Sequence, residues 1–176
     1  GGWRLGHFII PNELKKLKNS MKVLASETFT SVSAPIQHAA VAAYEKDMSK
    51  YINSSRNILK NVGEYVYDNL RSNKVLISKP QGGFYLMPEF VDKKYISSEE
   101  MCTDLLNNTG VVLLPGSDFG LPKNKMFARL SFTDFNGEEF MKNFPSDKDI
   151  KVEDIEKLAP KIAEGTKRIK KWVGST

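Results

Sequence analysis

The hydrophobic period of this chain changes near Asn73, and that change limits the folds open to it. Before it, apolar residues recur three and four apart: Leu14, Leu17, Met21 and Leu24, then Met48, Tyr51, Ile52, Ile58, Leu59, Val62, Val66 and Leu70. Stripes of that spacing lie along one side of a helix and turn it toward a core. After Asn73 the apolar residues come instead in short runs bounded by Gly and Pro. Residues 75–77, 83–87, 111–114 and 126–132 read as strands, the first two separated by a turn at Pro80 to Gly82. The pattern predicts an α/β chain, α+β in its second part. Long helices come first, and a small mixed or antiparallel sheet of about three or four strands follows, covered by helices. The boundary between the parts is expected near residue 70, giving 1–70 and 71–176.

Helix signals sharpen the first reading. Pro11 suits a first helical position, and the stripe from Leu14 carries that helix to about Ala25; residues 26–33, rich in Ser and Thr, read as a loop. Ser33 with Pro35 opens a second helix, and a long one spans about residues 47–69. Ser97 with Glu100 forms a capping box for a helix that stops near Gly110. Asn136 caps a short helix, residues 144–149 read as an exposed polar loop, and residues 152–173 are helical with a jog at Pro160. Residues 3–10, bulky and apolar, read as a buried strand that ends at Pro11, with Arg4 at its start.

Composition excludes several classes. A net charge of +5 would suit nucleic acid, but the lysines alternate with acids along helical segments, as in residues 13–18 and 153–157, which describes solvated faces. The one basic cluster, Lys167 to Lys171, lies at a helix end, where it complements the macrodipole. No nucleic-acid partner is therefore expected. No apolar run reaches bilayer length, so no membrane partner is expected either. A single cysteine, Cys102, permits no internal disulfide and suits a reducing, cytoplasmic setting; its helical context makes it a small core residue. With only His7 and His38 beside it, no metal site is expected.

Two arginines stand out against their surroundings. Arg4 sits in Gly2-Trp3-Arg4-Leu5-Gly6, where either small neighbours let backbone pack closely and the guanidinium face an oxyanion such as phosphate, or the arginine simply caps an amphipathic start whose core is Trp3, Leu5 and Phe8. Arg129 interrupts the apolar run Ala128-Arg129-Leu130-Ser131-Phe132, and a guanidinium there needs a partner. Either a structural carboxylate or a ligand carboxylate would serve.

These two segments, with Pro80-Gln81-Gly82-Gly83-Phe84-Tyr85-Leu86 and the stretch from Gly110 to Gly120 between them, follow one another in an order and spacing that resemble the C-terminal part of the fold-type I, pyridoxal-phosphate-dependent class I/II aminotransferases. The resemblance covers nearly the whole chain. It implies that Arg4 binds the cofactor phosphate and that Arg129 grips the α-carboxylate of the amino-acid substrate. It implies that the loop from Pro115 to Gly120 closes over the active-site side of a small domain, and that residues 1–70 are what remains of the large domain with the helix that bridges to it. The implied activity is transfer of an amino group from an amino acid to a 2-oxo acid, in a homodimer.

The family's cofactor-binding lysine lies eight residues before the phosphate-binding arginine, a position five residues upstream of Gly1. No catalytic residue of the family is therefore expected within these residues, and the chain alone is expected not to transaminate. The same motifs also occur in carbon–sulfur lyases, in aminocyclopropane-carboxylate-synthase-like proteins and in amino-acid-sensing regulatory modules. Those readings remain open at this point.

Overall fold

A computed structural model describes residues 2–29, 31–91, 95–145 and 148–174. The chain divides into two compact units, Gly1–Met48 and Ser49–Thr176.

The first unit holds two helices, α1 (Lys15–Thr28) and α2 (Ala34–Glu45). Pro11 precedes a short 3-10 turn, Asn12–Leu14, that leads into α1. Helix α1 runs three residues beyond Ala25, so part of the expected Ser/Thr loop is helical, and Thr30 within that loop lies outside the described residues. Ser33 precedes α2 and Pro35 sits in its first turn, although the Ser33 hydroxyl makes no capping bond. The expected buried strand over residues 3–10 does not form: these residues have no regular structure, and Trp3, Phe8 and Ile9 are exposed. A strand is held by ladder bonds to a neighbour, and no strand is found among the described residues of this unit. The apolar stripe of α1 is present as read, but Leu14, Leu17 and Leu24 on it are exposed.

The second unit contains the core. Helix α3 (Ser49–Leu70) buries Ile58, Val62, Val66 and Leu70, the later residues of its stripe, while Tyr51 and Ile52 in its first turns remain exposed. The strands are β1 (Val75–Leu76), β2 (Tyr85–Leu86), β3 (Glu89–Phe90), β4 (Leu114–Pro115) and β5 (Ala128–Ser131). They form an antiparallel sheet of three strands in the order β2-β5-β4 and a separate antiparallel pair β1-β3. The first two expected strands therefore do not pair with each other. β3, which sequence reading missed, takes β1, and β2 goes to the centre strand. Four helices complete the unit: α4 (Ser98–Thr109), α5 (Gly137–Asn143), α6 (Val152–Leu158) and α7 (Pro160–Gly174).

Local chemistry sets these ends. The Ser97 hydroxyl accepts from the Glu100 N–H, and Gly110, at φ 72°, closes α4 in the left-handed conformation. Asn136 accepts from the N–H groups of Glu138 and Glu139. The jog at Pro160 separates α6 from α7 at Ala159, with Pro160 as the first residue of α7. Phe144 and Ile150, at the ends of the expected exposed loop, are buried, because their side chains complete the core around Phe140 and Ile155. Ser146 and Asp147 in that loop lie outside the described residues.

Helix α7 packs against both α3 and α4, and one carboxylate bridges α4 and α7. Asp104 Oδ2 accepts from the Tyr95 hydroxyl at 2.6 Å and from Trp172 Nε1 at 2.9 Å, while its Oδ1 accepts from Asn108 Nδ2 at 2.9 Å. Trp172 itself lies edge-on to Phe90 and stacks on Tyr95. No helix among the described residues is long and apolar enough to cross a membrane.

Candidate anion site on the central strand

Strand β5 carries Arg129 between its two neighbours, and the register fixes what surrounds it. Tyr85 of β2 lies opposite Ser131, two residues along from Arg129, so the tyrosine ring and Arg129 share a face of the sheet. On the other flank Leu114 of β4 lies opposite Arg129 itself. The chain leaves β4 through Gly116 into a 3-10 turn, Gly116–Phe119, that presents Phe119 to the same guanidinium. Arg129 Cζ lies 4.4 Å from the centre of the Tyr85 ring and 4.4 Å from that of Phe119. Among the described residues, no carboxylate pairs with this half-buried guanidinium and no acceptor takes its N–H groups.

The turn that carries Phe119 is fixed from below. Ser98, fully buried at the start of α4, donates from Oγ to Ser117 Oγ at 3.3 Å, and Ser117 Oγ donates to Glu99 Oε1 at 2.9 Å. The Gly116 N–H donates to the Phe127 carbonyl at 2.8 Å. A Cβ on Gly116 would stand 2.7 Å from Phe127 Cβ and 3.0 Å from its carbonyl oxygen. Backbone would have to move, so Gly116→Ala is expected to destabilise the chain by about 2 kcal/mol and lower Tm by roughly 4–8 °C. Thermal melting followed by circular dichroism checks this. A second close approach seats the Pro80 segment: at Gly63 helix α3 comes so near that an added Cβ would lie 2.9 Å from Phe132 Cζ and 3.3 Å from Pro80 Cγ.

Three of the four sequence segments thus meet at β5. Pro80 to Leu86 supplies Tyr85, the Pro115 to Gly120 loop supplies Phe119, and the strand supplies Arg129. The fourth segment lies in the other compact unit. There Arg4 is exposed, adopts a left-handed backbone at φ 56°, and has no carboxylate partner among the described residues. A left-handed arginine is unusual and costs about 1 kcal/mol or more, a strain compatible with a binding role. Nearby, the Tyr44 hydroxyl bonds to His7 Nδ1 at 2.5 Å. Sequence reading singled out both arginines but neither aromatic ring. The rings lie inside the motifs, and only the strand register reveals what they touch.

Other features hold less chemistry. A cleft of about 620 Å³ is lined by Val111, Leu130, Lys161, Gly165 and Arg168 and does not include Arg129. Its charges are already engaged, Lys161 with Asp134 at 3.2 Å and Arg168 with Glu164 at 2.7 Å. The Arg129 guanidinium, without an acid partner among the described residues, lies outside this cleft.

Cys102 is buried, as read from its helical pattern. Burial, and then the Asp118 carboxylate, push its thiol up to about 11. Burial and the bond to Asp104 push the Tyr95 phenol up to about 12. Both acids are weaker folded than unfolded, so what they contribute to stability is complete below their unfolded values and is lost as pH rises through the folded ones. Stability should fall between about pH 9 and pH 12, and Cys102→Ala should remove on the order of 2 kcal/mol of that fall by pH 11. Urea midpoints at successive pH values measure it. Among the described residues no cluster of three His, Cys, Asp or Glu side chains could hold a metal ion.

Comparison with known proteins identifies the family. Residues 1–143 match the model of aminotransferase class I and II. An aspartate aminotransferase of Sulfolobus acidocaldarius is 33% identical over 138 residues, covering 74% of this chain and 32% of that protein. An aspartate aminotransferase of Geobacillus stearothermophilus is 32% identical over 136 residues, covering 74% of this chain and 33% of that protein. Among solved structures, an aspartate aminotransferase of Thermotoga maritima superposes with a TM-score of 0.62 at 25% identity, over 98% of this chain and 36% of that one. An alanine aminotransferase of Pyrococcus furiosus shares the fold, with a TM-score of 0.70 at 24% identity over 99% of this chain and 39% of that one. The chain spans about a third of the length of the curated relatives it matches. It belongs to the class I and II aminotransferases and has their α/β fold.

Proposed function

From that membership, we propose that this chain is the part of a pyridoxal-phosphate-dependent aminotransferase that grips the substrate carboxylate. The observation that supports this most is the half-buried Arg129 guanidinium, which among the described residues is flanked by aromatic rings and paired with no acid. Even a partly buried cation without an acid partner carries a desolvation cost, and an incoming carboxylate offsets it. Two parallel N–H groups of the fork match the two oxygens of a carboxylate, so the bond fixes orientation as well as position. Held there, an amino acid has its Cα in one place and its α-hydrogen in one direction, and a positioned base can remove the proton.

Arg4 is the residue of this chain that would hold the cofactor, through its phosphate. Its guanidinium, exposed and without an acid partner among the described residues, suits a phosphate dianion, and a Cβ built on either nearby glycine, Gly2 or Gly6, would meet nothing within 4 Å. Pyridoxal phosphate, when bound, would supply the electron sink for the carbanion formed at Cα. The substrates are then an amino acid and a 2-oxo acid.

The chain spans about a third of its relatives' length, so the activity is proposed for the whole protein. In that whole, residues 1–70 would complete the large domain and its connecting helix, and residues 71–176 the small domain. Helix α3 falls in the second compact unit and buries Val62 and Val66 there, while Tyr51 and Ile52 at its start are exposed, which suits a helix that leads into the small domain. A homodimer would cover part of the apolar surface that the first unit exposes. A cytoplasmic location fits a single buried thiol. Nitrogen transfer by the full-length protein, followed with a labelled amino donor, tests the proposal.

A further inference from the structure

We infer that Tyr85 and Phe119 are positioning residues that make Arg129 selective for a planar carboxylate over a tetrahedral oxyanion. The inference rests on the reading of Arg129 as the substrate-carboxylate arginine.

The sheet order β2-β5-β4 brings the two rings in from opposite flanks of the strand that carries Arg129. Tyr85 comes from β2 on one side, and Phe119 comes from the turn after β4 on the other. Each ring centre is 4.4 Å from Cζ, the range in which a guanidinium rests on an aromatic face. A guanidinium carries its N–H donors in its own plane, so rings against its faces leave the edge as the open approach. A carboxylate meets that edge with both oxygens coplanar with the fork. A phosphonate or sulfonate carries a third oxygen out of that plane, and it would press on an aromatic face.

The rings also hold the fork in one orientation, which a long flexible side chain would otherwise lose freedom to adopt at the moment of binding. Neither ring is needed for the core: Tyr85 and Phe119 are each 42% exposed. That exposure makes them testable without unfolding the unit. Phe84 lies tilted against Tyr85, with ring centres 4.3 Å apart.

The test uses the full-length protein and calorimetric titration with 2-oxoglutarate and with its analogue in which a phosphonate replaces the C1 carboxylate. Tyr85→Leu and Phe119→Leu should each weaken 2-oxoglutarate binding by about tenfold and weaken the phosphonate analogue less, so that the preference for carboxylate narrows. Tyr85→Phe and Phe119→Tyr, which keep a ring, should restore the wild-type preference. Arg129→Gln should weaken 2-oxoglutarate binding more than any of them. If Arg129→Gln weakens binding while both leucine variants keep the wild-type preference, the aromatic role is overturned and the reading of Arg129 survives. If Arg129→Gln binds as wild type, that reading falls and the inference falls with it. If the ring-keeping variants lose as much as the leucine variants while melting normally, stacking is not the cause, and the inference is again overturned.

Discussion

Replacing Arg129 with glutamine should lower kcat/KM of the full-length protein for its amino donor by about a thousandfold. The estimate follows from the bond lost: truncating one partner of a desolvated, bidentate charge pair costs about 4 kcal/mol, and each 1.4 kcal/mol is a factor of ten. Most of the loss should appear in KM, because the carboxylate is held in the ground state as well as in the transition state. A smaller loss in kcat should accompany it, since a substrate free to rotate presents its α-hydrogen less often. Arg129→Lys keeps the charge without the fork and should recover no more than about tenfold. Cofactor content should not change, because this residue is assigned to the substrate. Steady-state kinetics with absorbance of the bound cofactor separates the two effects.

Asp104→Ala should be the most damaging substitution for the fold away from the hydrophobic core. It removes the acceptor shared by the Tyr95 hydroxyl and Trp172 Nε1, and Trp172 is 5% exposed, so its indole N–H would have little access to water. A buried donor left without a partner costs about 1–3 kcal/mol, and Asp104 serves two donors from different parts of the chain. The expected loss is about 3 kcal/mol, a fall in Tm of roughly 6–12 °C. Asp104→Asn keeps one acceptor oxygen and should lose about a third as much. A melting temperature for Asp104→Ala within a degree of wild type would remove the network from the account of stability. The alkaline behaviour should change as well, since Tyr95 would keep the burial that raises its phenol most but lose the Asp104 carboxylate that adds to it.

How much of this was legible in the sequence depends on whether the signal is local. Helix ends were, because the capping chemistry sits within three or four residues: Ser97, Gly110, Asn136 and Pro160 act where they were read, although the Glu100 carboxylate accepts from the Ile96 N–H rather than closing the box on Ser97. Strand partners were not, because pairing is decided by residues far apart. Val75 finds Phe90 rather than the run beginning at Gly83, and Glu89–Phe90 is too short for a period to be visible. Residues 3–10 show the limit from another side. Their apolar character is that of a buried strand, yet burial needs a neighbour to cover it, and in this structure Trp3, Phe8 and Ile9 face outward.

The site divides in the same way. Arg129 announces itself as a charge inside an apolar strand, and Arg4 as a guanidinium among glycines. Tyr85 and Phe119 carry no such signal, since an aromatic in a strand or loop is ordinary. Their contact with the Arg129 guanidinium emerges only when the register sets Tyr85 opposite Ser131 and the turn held by Ser98 and Glu99 turns Phe119 toward the strand. Phe144 and Ile150 repeat the lesson for the core: they flank a polar stretch that reads as exposed, and the packing around Phe140 draws both inward.

The central claim is that the protein carrying this chain moves an amino group between carbon skeletons, with Arg129 holding the substrate carboxylate. The most direct measurement incubates the purified full-length protein and pyridoxal phosphate with a panel of ¹⁵N-amino acids and unlabelled 2-oxoglutarate, and reads the products by mass spectrometry. The account predicts ¹⁵N in newly formed glutamate, with the donor recovered as its 2-oxo acid, and a large loss of that label in Arg129→Gln. Label released as ammonium, or no transfer from any donor by a protein that binds the cofactor, would contradict it.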